Sequence, residues 1–150
     1  MKQRAERKLE LFSAENIGGV AALAAECFTT PWSEAIYRRE LENPQSVGFV
    51  CTDGGRVVGM IHCNFVLDEL TLNTLCVAEP YRRQGIARQL WDAVRSMMQG
   101  VCTVCYLEVR ESNLAARTLY ESLGFVQNGF RPRYYSLPEE AAILMEAALT

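Results

Sequence analysis

A chain of 150 residues, 49% apolar and 22% charged, has the size and composition of one soluble domain around a single core. A formal net charge of −3 argues against a chain-wide nucleic-acid binder, and no apolar run reaches transmembrane length. The polar start MKQRAERKLE argues against a secretory signal, so no membrane partner and a cytoplasmic location are expected.

Residues 9–14 (LELFSA) read as a short first strand. Ile17, Val20, Ala21, Leu23, Ala24, Cys27 and Phe28 then recur at helical spacing and predict a first helix, weakened by Gly18 and Gly19. A second helix follows PWSE, with Ser33 placed to cap it and Asn43-Pro44 to stop it. Residues 47–77 are strand-like throughout. Breaks at Gly54-Gly55 and Asp68-Glu69 divide them into strands near 47–52, 56–67 and 70–77. Pro80 ends this run, and from Gln84 or Gly85 to about Gln99 the spacing of Ile86, Leu90, Trp91, Val94, Met97 and Met98 predicts an amphipathic helix. VCTVCYLEV is apolar on both faces and reads as a central strand. A further helix runs from Asn113 to Gly124, and two strands close the chain. The order β-α-α-β-β-β-α-β-α-β-β predicts an α/β fold, one mixed sheet with helices on both sides, in a single domain over residues 1–150.

Six cysteines lie mostly inside apolar runs, at spacings that fit no disulfide framework, and are expected to be buried, reduced thiols. The one C-x-x-C, Cys102 to Cys105, has no second pair or His partner, and His62 is the only histidine, so no metal is expected.

YRRQGIAR stands where a strand turns into a helix. The first N–H groups of a helix lack intrahelical partners, and the helix dipole adds partial positive charge there. Gly85 lets an anion approach the backbone, and Arg82, Arg83 and Arg88 add charge. Neither the Walker P-loop nor the Rossmann fingerprint fits, since only one glycine is present. In the apolar strand, alternation puts Cys102, Val104, Tyr106 and Glu108 on one face. Glu108 is there either a strand-end charge reaching water or a functional group whose basicity burial would raise. Ala116, Leu119, Tyr120 and Leu123 share a helix face. On spacing alone Tyr120 reads as a core tyrosine with a satisfied hydroxyl, and Asn113 as an N-cap.

Arg82-Arg83-Gln84-Gly85-Ile86-Ala87 matches [QR]-x-x-G-x-[GA], the pyrophosphate loop of the GCN5-related N-acetyltransferase (GNAT) superfamily. PWSE, VLDELTL, LEVRESNLAARTLYESLGF and RYY occur in matching order, and together they resemble the bacterial ribosomal-protein-alanine N-acetyltransferases over roughly residues 9–146. Ala87 replaces the usual second glycine, and the connection near Gly100 and the hairpin near Pro138 are short for that pattern.

The resemblance implies the GNAT fold and acetyl-CoA as cosubstrate. Its pantetheine arm would lie along Leu75, Cys76 and Val77 like an added strand. Its pyrophosphate would rest on the backbone of Arg83, Gln84, Gly85, Ile86, Ala87 and Arg88, with Asn113 in contact. The resemblance also makes Glu108 the proton acceptor and Tyr120 the acid for the departing thiolate, in direct transfer through a ternary complex. A backbone N–H of Cys76 or Val77 is the expected oxyanion donor. The implied acceptor is the N-terminal alanine of a small-subunit ribosomal protein. Asp68, Glu69, Trp32 and Tyr134 or Tyr135 are candidate walls of its groove. A monomer is expected. Other protein N-termini, small amines, or a non-catalytic acetyl-CoA-binding module are the competing readings, and the presence of both Glu108 and Tyr120 weighs against the last.

Overall fold

The structure, a computed structural model, describes residues 6–149. Its elements follow the predicted order: β1 (Arg7–Leu11), α1 (Ile17–Cys27), α2 (Glu34–Glu40), β2 (Ser46–Asp53), β3 (Arg56–Val66), β4 (Glu69–Val77), α3 (Ile86–Met98), β5 (Val104–Arg110), α4 (Leu114–Ser122), β6 (Val126–Ser136) and β7 (Glu139–Ala148). A short 3₁₀ turn, Glu79–Tyr81, carries Pro80 between β4 and α3. The strand order is β1-β2-β3-β4-β5-β7-β6. β4 and β5 pair in parallel, while β1–β2, β2–β3, β5–β7 and β6–β7 are antiparallel.

Two strand boundaries depart from the sequence reading for local reasons. β1 ends at Leu11, not Ala14, because Asn16 closes the chain behind it. Its Nδ2 donates to the Leu11 carbonyl at 3.0 Å and its Oδ1 accepts from the Ser13 N–H at 2.9 Å. β5 starts at Val104, not Val101, because the N–H groups of Val101 and Cys102 turn back onto the Met98 carbonyl at 3.0 and 2.9 Å. Helix-end carbonyls need such partners, and the turn uses residues that alternation alone assigns to the strand.

The chain divides into two compact units. One holds residues up to Asn64 together with Asn73–Met97; the other holds Phe65–Leu72 and residues from Met98 onward. In the first, Ile17, Val20, Leu23 and Ala24 of α1 are buried, as are Val58, Met60 and Ile61 of β3 and Ile86, Leu90, Trp91 and Val94 of α3. Each large apolar side chain so buried contributes roughly 1.5–3 kcal/mol. Met97 lies off this stripe and is exposed. α3 sits close against β3 because Gly59 has no side chain: a Cβ there would stand 2.8 Å from Ile86 Cγ2 and 3.3 Å from Leu90 Cδ1. In the second unit, Leu70, Cys105, Leu107, Phe125, Ile143 and Met145 form the core.

Candidate active site

In the first unit the end of β4 leads into the loop that opens α3. Leu75, Cys76 and Val77 are buried. The β4–β5 ladder runs only from Glu69↔Val104 to Thr71↔Tyr106, whereas β4 continues to Val77. Past the 3₁₀ turn, Arg83 and Gly85 both take left-handed backbone conformations, with φ of 65° and 84°. Such alternation within a few residues curls successive N–H groups into an anion-binding concavity. Left-handed geometry in a non-glycine residue costs roughly 1–2 kcal/mol, and strain of this kind gathers at functional sites. The first intrahelical bond of α3 runs from the Gln89 N–H to the Gly85 carbonyl at 3.0 Å, so the N–H groups of Ile86, Ala87 and Arg88 precede the helical ladder. The expected pyrophosphate residues therefore present backbone donors at one helix entrance, and the loop fits that group.

The side chains of this loop have other partners. Gln84 Oε1 accepts from Arg7 Nη2, and Gln84 Nε2 donates to the Pro80 carbonyl at 3.2 Å, leaving Gln84 its backbone for an anion. The Tyr81 hydroxyl donates to Asp53 at 2.7 Å and ties the turn to the end of β2. Arg82 folds back: its Nε donates to the Val77 carbonyl at 2.8 Å, and its Nη2 lies 4.0 Å from Cys27 Sγ. Five of the six free thiols are buried as expected; Cys27 is partly exposed. A hydrogen bond from the Cys76 thiol, together with Arg82, holds Cys27 below the usual thiol range, while the same bond and burial push Cys76 up.

The second unit carries the proposed acid–base groups. Glu108 lies on β5 opposite Leu144 of β7 and is exposed, so of the two arrangements the sequence allowed its carboxylate takes the one that reaches water. The buried face of β5 is instead Cys105, Leu107 and Val109. Tyr134 donates a hydrogen bond to Glu108, and this bond and the carboxylate charge raise the Tyr134 phenol above its ordinary value. Arg110 lies 4.3 Å over the Tyr135 ring and bonds the Pro138 carbonyl at 3.0 Å and Glu140 at 3.3 Å, holding the β6–β7 hairpin to β5. Tyr120 is half-buried on α4, its ring edge-on to Phe125 at 5.8 Å. Asn113 is the cap anticipated, with Oδ1 accepting from the Ala116 N–H at 3.1 Å. Asp68 and Glu69 are exposed at the start of β4. Trp32 packs on Tyr37 and His62, with ring centroids 5.4 and 5.3 Å apart.

Spacing did not single out Glu40, Asn64 and Asn73, which join His62 in a polar cluster of the first unit. They lie on three different elements, α2, β3 and β4, and only a polar residue in a strand otherwise alternating with apolar ones hinted at them. Among the described residues no group of three His, Cys, Asp or Glu side chains is placed to hold a metal ion, and no helix is long and apolar enough to cross a membrane.

A strand that leads into a left-handed loop opening a helix forms a cradle for a phosphate-bearing ligand. Residues 18–125 match the acetyltransferase (GNAT) family, and the chain belongs to it: it is an acetyl-CoA-dependent N-acetyltransferase. Among relatives, it is 38% identical over 119 residues to the ribosomal protein bS18-alanine N-acetyltransferase of Escherichia coli (strain K12), covering 77% of this chain and 79% of that one. It is 34% identical to an N-alpha-acetyltransferase RimI of Mycobacterium tuberculosis, covering 83% and 82%. The crystal structure of the ribosomal-protein-S18-alanine N-acetyltransferase from Escherichia coli superimposes with a TM-score of 0.85 at 30% identity, covering 96% and 94%.

Proposed function

We propose that this protein acetylates the N-terminal α-amine of a protein, specifically the N-terminal alanine of the small-subunit ribosomal protein bS18. It would act in the cytoplasm as a monomeric single-domain enzyme that engages neither nucleic acid nor membrane. The names of the relatives support the acceptor. The observation that carries the chemistry is the carboxylate of Glu108, exposed on β5 and held by Tyr134.

Acetyl-CoA supplies an activated acyl thioester. Leu75, Cys76 and Val77 would hold its pantetheine arm, and the backbone of Arg83, Gln84, Gly85, Ile86, Ala87 and Arg88 its pyrophosphate, with Asn113 in contact. Arg82 already occupies the Val77 carbonyl, and the Ala78 N–H is paired with the Val58 carbonyl of β3 at 2.8 Å, so a ligand at this strand end would use backbone groups on the edge away from β3. With both substrates bound, Glu108 takes a proton from the ammonium, directly or through water, and frees the lone pair that attacks the acetyl carbon. A backbone N–H of Cys76 or Val77 would meet the developing oxyanion. As the C–S bond breaks, the Tyr120 hydroxyl passes its proton to the thiolate, the second proton of the attacking nitrogen goes to the resulting tyrosinate directly or through water, and solvent takes the proton held by Glu108.

The test is thiol release from acetyl-CoA by purified protein, with peptides beginning in alanine against matched peptides beginning in other residues, and products read by mass spectrometry. Acetylation of the α-amine, fastest on the alanine-first bS18 sequence, is expected. Transfer only to small amines would overturn the acceptor assignment, and acetyl-CoA binding without any transfer would overturn the catalytic one.

A further inference from the structure

The cluster around His62 has a fixed polarity. Glu40 anchors it. Burial opposes the Glu40 charge, but the hydrogen bond from Asn64 and the proximity of His62 outweigh it and hold the carboxyl below its ordinary range. An ionised carboxylate only accepts, so the Asn64 atom 2.8 Å from Glu40 Oε1 is its Nδ2, and Asn64 Oδ1 faces the other way. That Oδ1 lies 2.7 Å from the Asn73 amide, which must therefore present Nδ2. The same Nδ2 stands 3.3 Å from His62 Nδ1. His62 is fully buried, and burial lowers its pKa, so the ring is neutral near pH 7. With Nδ1 accepting, its proton sits on Nε2, 2.7 Å from Ser46 Oγ and 3.3 Å from Glu40 Oε1. Phe12 stacks on the ring at 5.8 Å and Trp32 meets it at 5.3 Å, which locks its orientation.

Both N–H groups of the Asn73 amide are thus drawn inward. Its Oδ1 points away from the cluster, and among the described residues no hydrogen bond to it is found. Asn73 is itself exposed, on the β4 face that also exposes Glu69 and Thr71, two residues beyond the end of the β4–β5 ladder and two before Leu75. A pre-oriented acceptor in that position, with no donor of its own left over, selects for a donor. Its support by Glu40, Asn64 and His62 is far more than a surface asparagine needs.

We propose that Asn73 is a specificity residue for the acceptor, its Oδ1 taking a hydrogen bond from the N-terminal ammonium of the peptide, with Glu40, Asn64 and His62 as the positioning residues that fix its polarity. This rests on the N-terminal acetylation reading above. An amide oxygen binds the ammonium without competing for its proton, which leaves deprotonation to the base.

The experiment compares wild type with Asn73→Leu, of similar volume and no acceptor, using steady-state kinetics and competition by a des-amino peptide whose first residue is propionyl. Asn73→Leu is expected to raise the KM for the alanine-first peptide roughly tenfold, with the KM for acetyl-CoA unchanged. The preference of wild type for the amine over the des-amino peptide should collapse in the variant. Asn73→Ala serves should the leucine variant not fold. An unchanged peptide KM, or peptide and acetyl-CoA KM values rising together, would overturn the proposal while leaving the acetylation reading standing. Wild type that acetylates no peptide would remove both.

Discussion

The phenol of Tyr134, on β6, donates a hydrogen bond to the carboxylate of Glu108, on β5. The bond persists across assay pH, because the bond itself and the carboxylate charge push the phenol above its ordinary value of 10.0. The two residues nonetheless have unequal roles. Glu108→Gln keeps the shape and removes the basic lone pair, so kcat should fall about 100-fold or more. Tyr134→Phe removes one donor and leaves the base, so kcat should fall less than about tenfold. Initial rates of thiol release on both variants decide the matter. Losses of equal size would mean that Glu108 acts as a structural anchor for the hairpin.

The loop that opens α3 makes a separable prediction. Gly85 sits at φ 84°, and nothing lies within 4 Å of the position a Cβ would take. A side chain there meets no steric wall, so its cost is conformational, about 1 kcal/mol. Gly85→Ala should therefore lower Tm by only about 2–4 °C while shifting the backbone donors of Ile86 and Ala87 out of place. The KM for acetyl-CoA should rise severalfold and the peptide KM should stay constant. A fall in Tm with both KM values untouched would show that the left-handed turn serves folding alone.

Much of this arrangement was legible in the chain. Element order followed from apolar periodicity, Ser33 and Asn113 from capping chemistry, and the α3 entrance from a glycine after charged residues. What periodicity missed has a common cause: it describes a residue's own element. Asn16 ends β1 through side-chain bonds, and the α3 end takes Val101 and Cys102 from the apparent strand. For Glu108 alternation left open whether the carboxylate reaches water or turns inward, and burial on β5 falls on the alternate set of Leu107 and Val109. Gly59 reads as an unremarkable strand residue until α3 is seen against it. The Asn73 cluster joins residues 33 positions apart, Glu40 to Asn73, a separation no local pattern reports.

His62 also carries a pH dependence whose sign is fixed. Burial lowers its pKa from the ordinary 6.5, so between the two values the unfolded chain holds a proton that the native chain does not. Stability then rises with pH through that window and is lost as pH falls below 6.5. Glu40 acts in the same direction lower down. Its folded pKa lies below the ordinary 4.5, so its contribution is present above that value and is lost as pH falls through the folded one. Wild-type Tm should be level from pH 8 to 7 and decline from about pH 6.5 toward pH 5. His62→Gln cannot titrate there. At pH 8 it should be less stable by about 1–3 kcal/mol, because Ser46 and Asn73 lose the partner that the buried ring supplies. The gap between the two melting curves should narrow as pH falls, since only wild type pays the protonation cost. Thermal melts of both proteins at pH 8, 7, 6 and 5 measure it. A gap that widens toward pH 5 would mean that the fold favours charged His62, and the direction of the Asn73 amide would have to be reversed with it; a constant gap would mean that burial does not shift the ring.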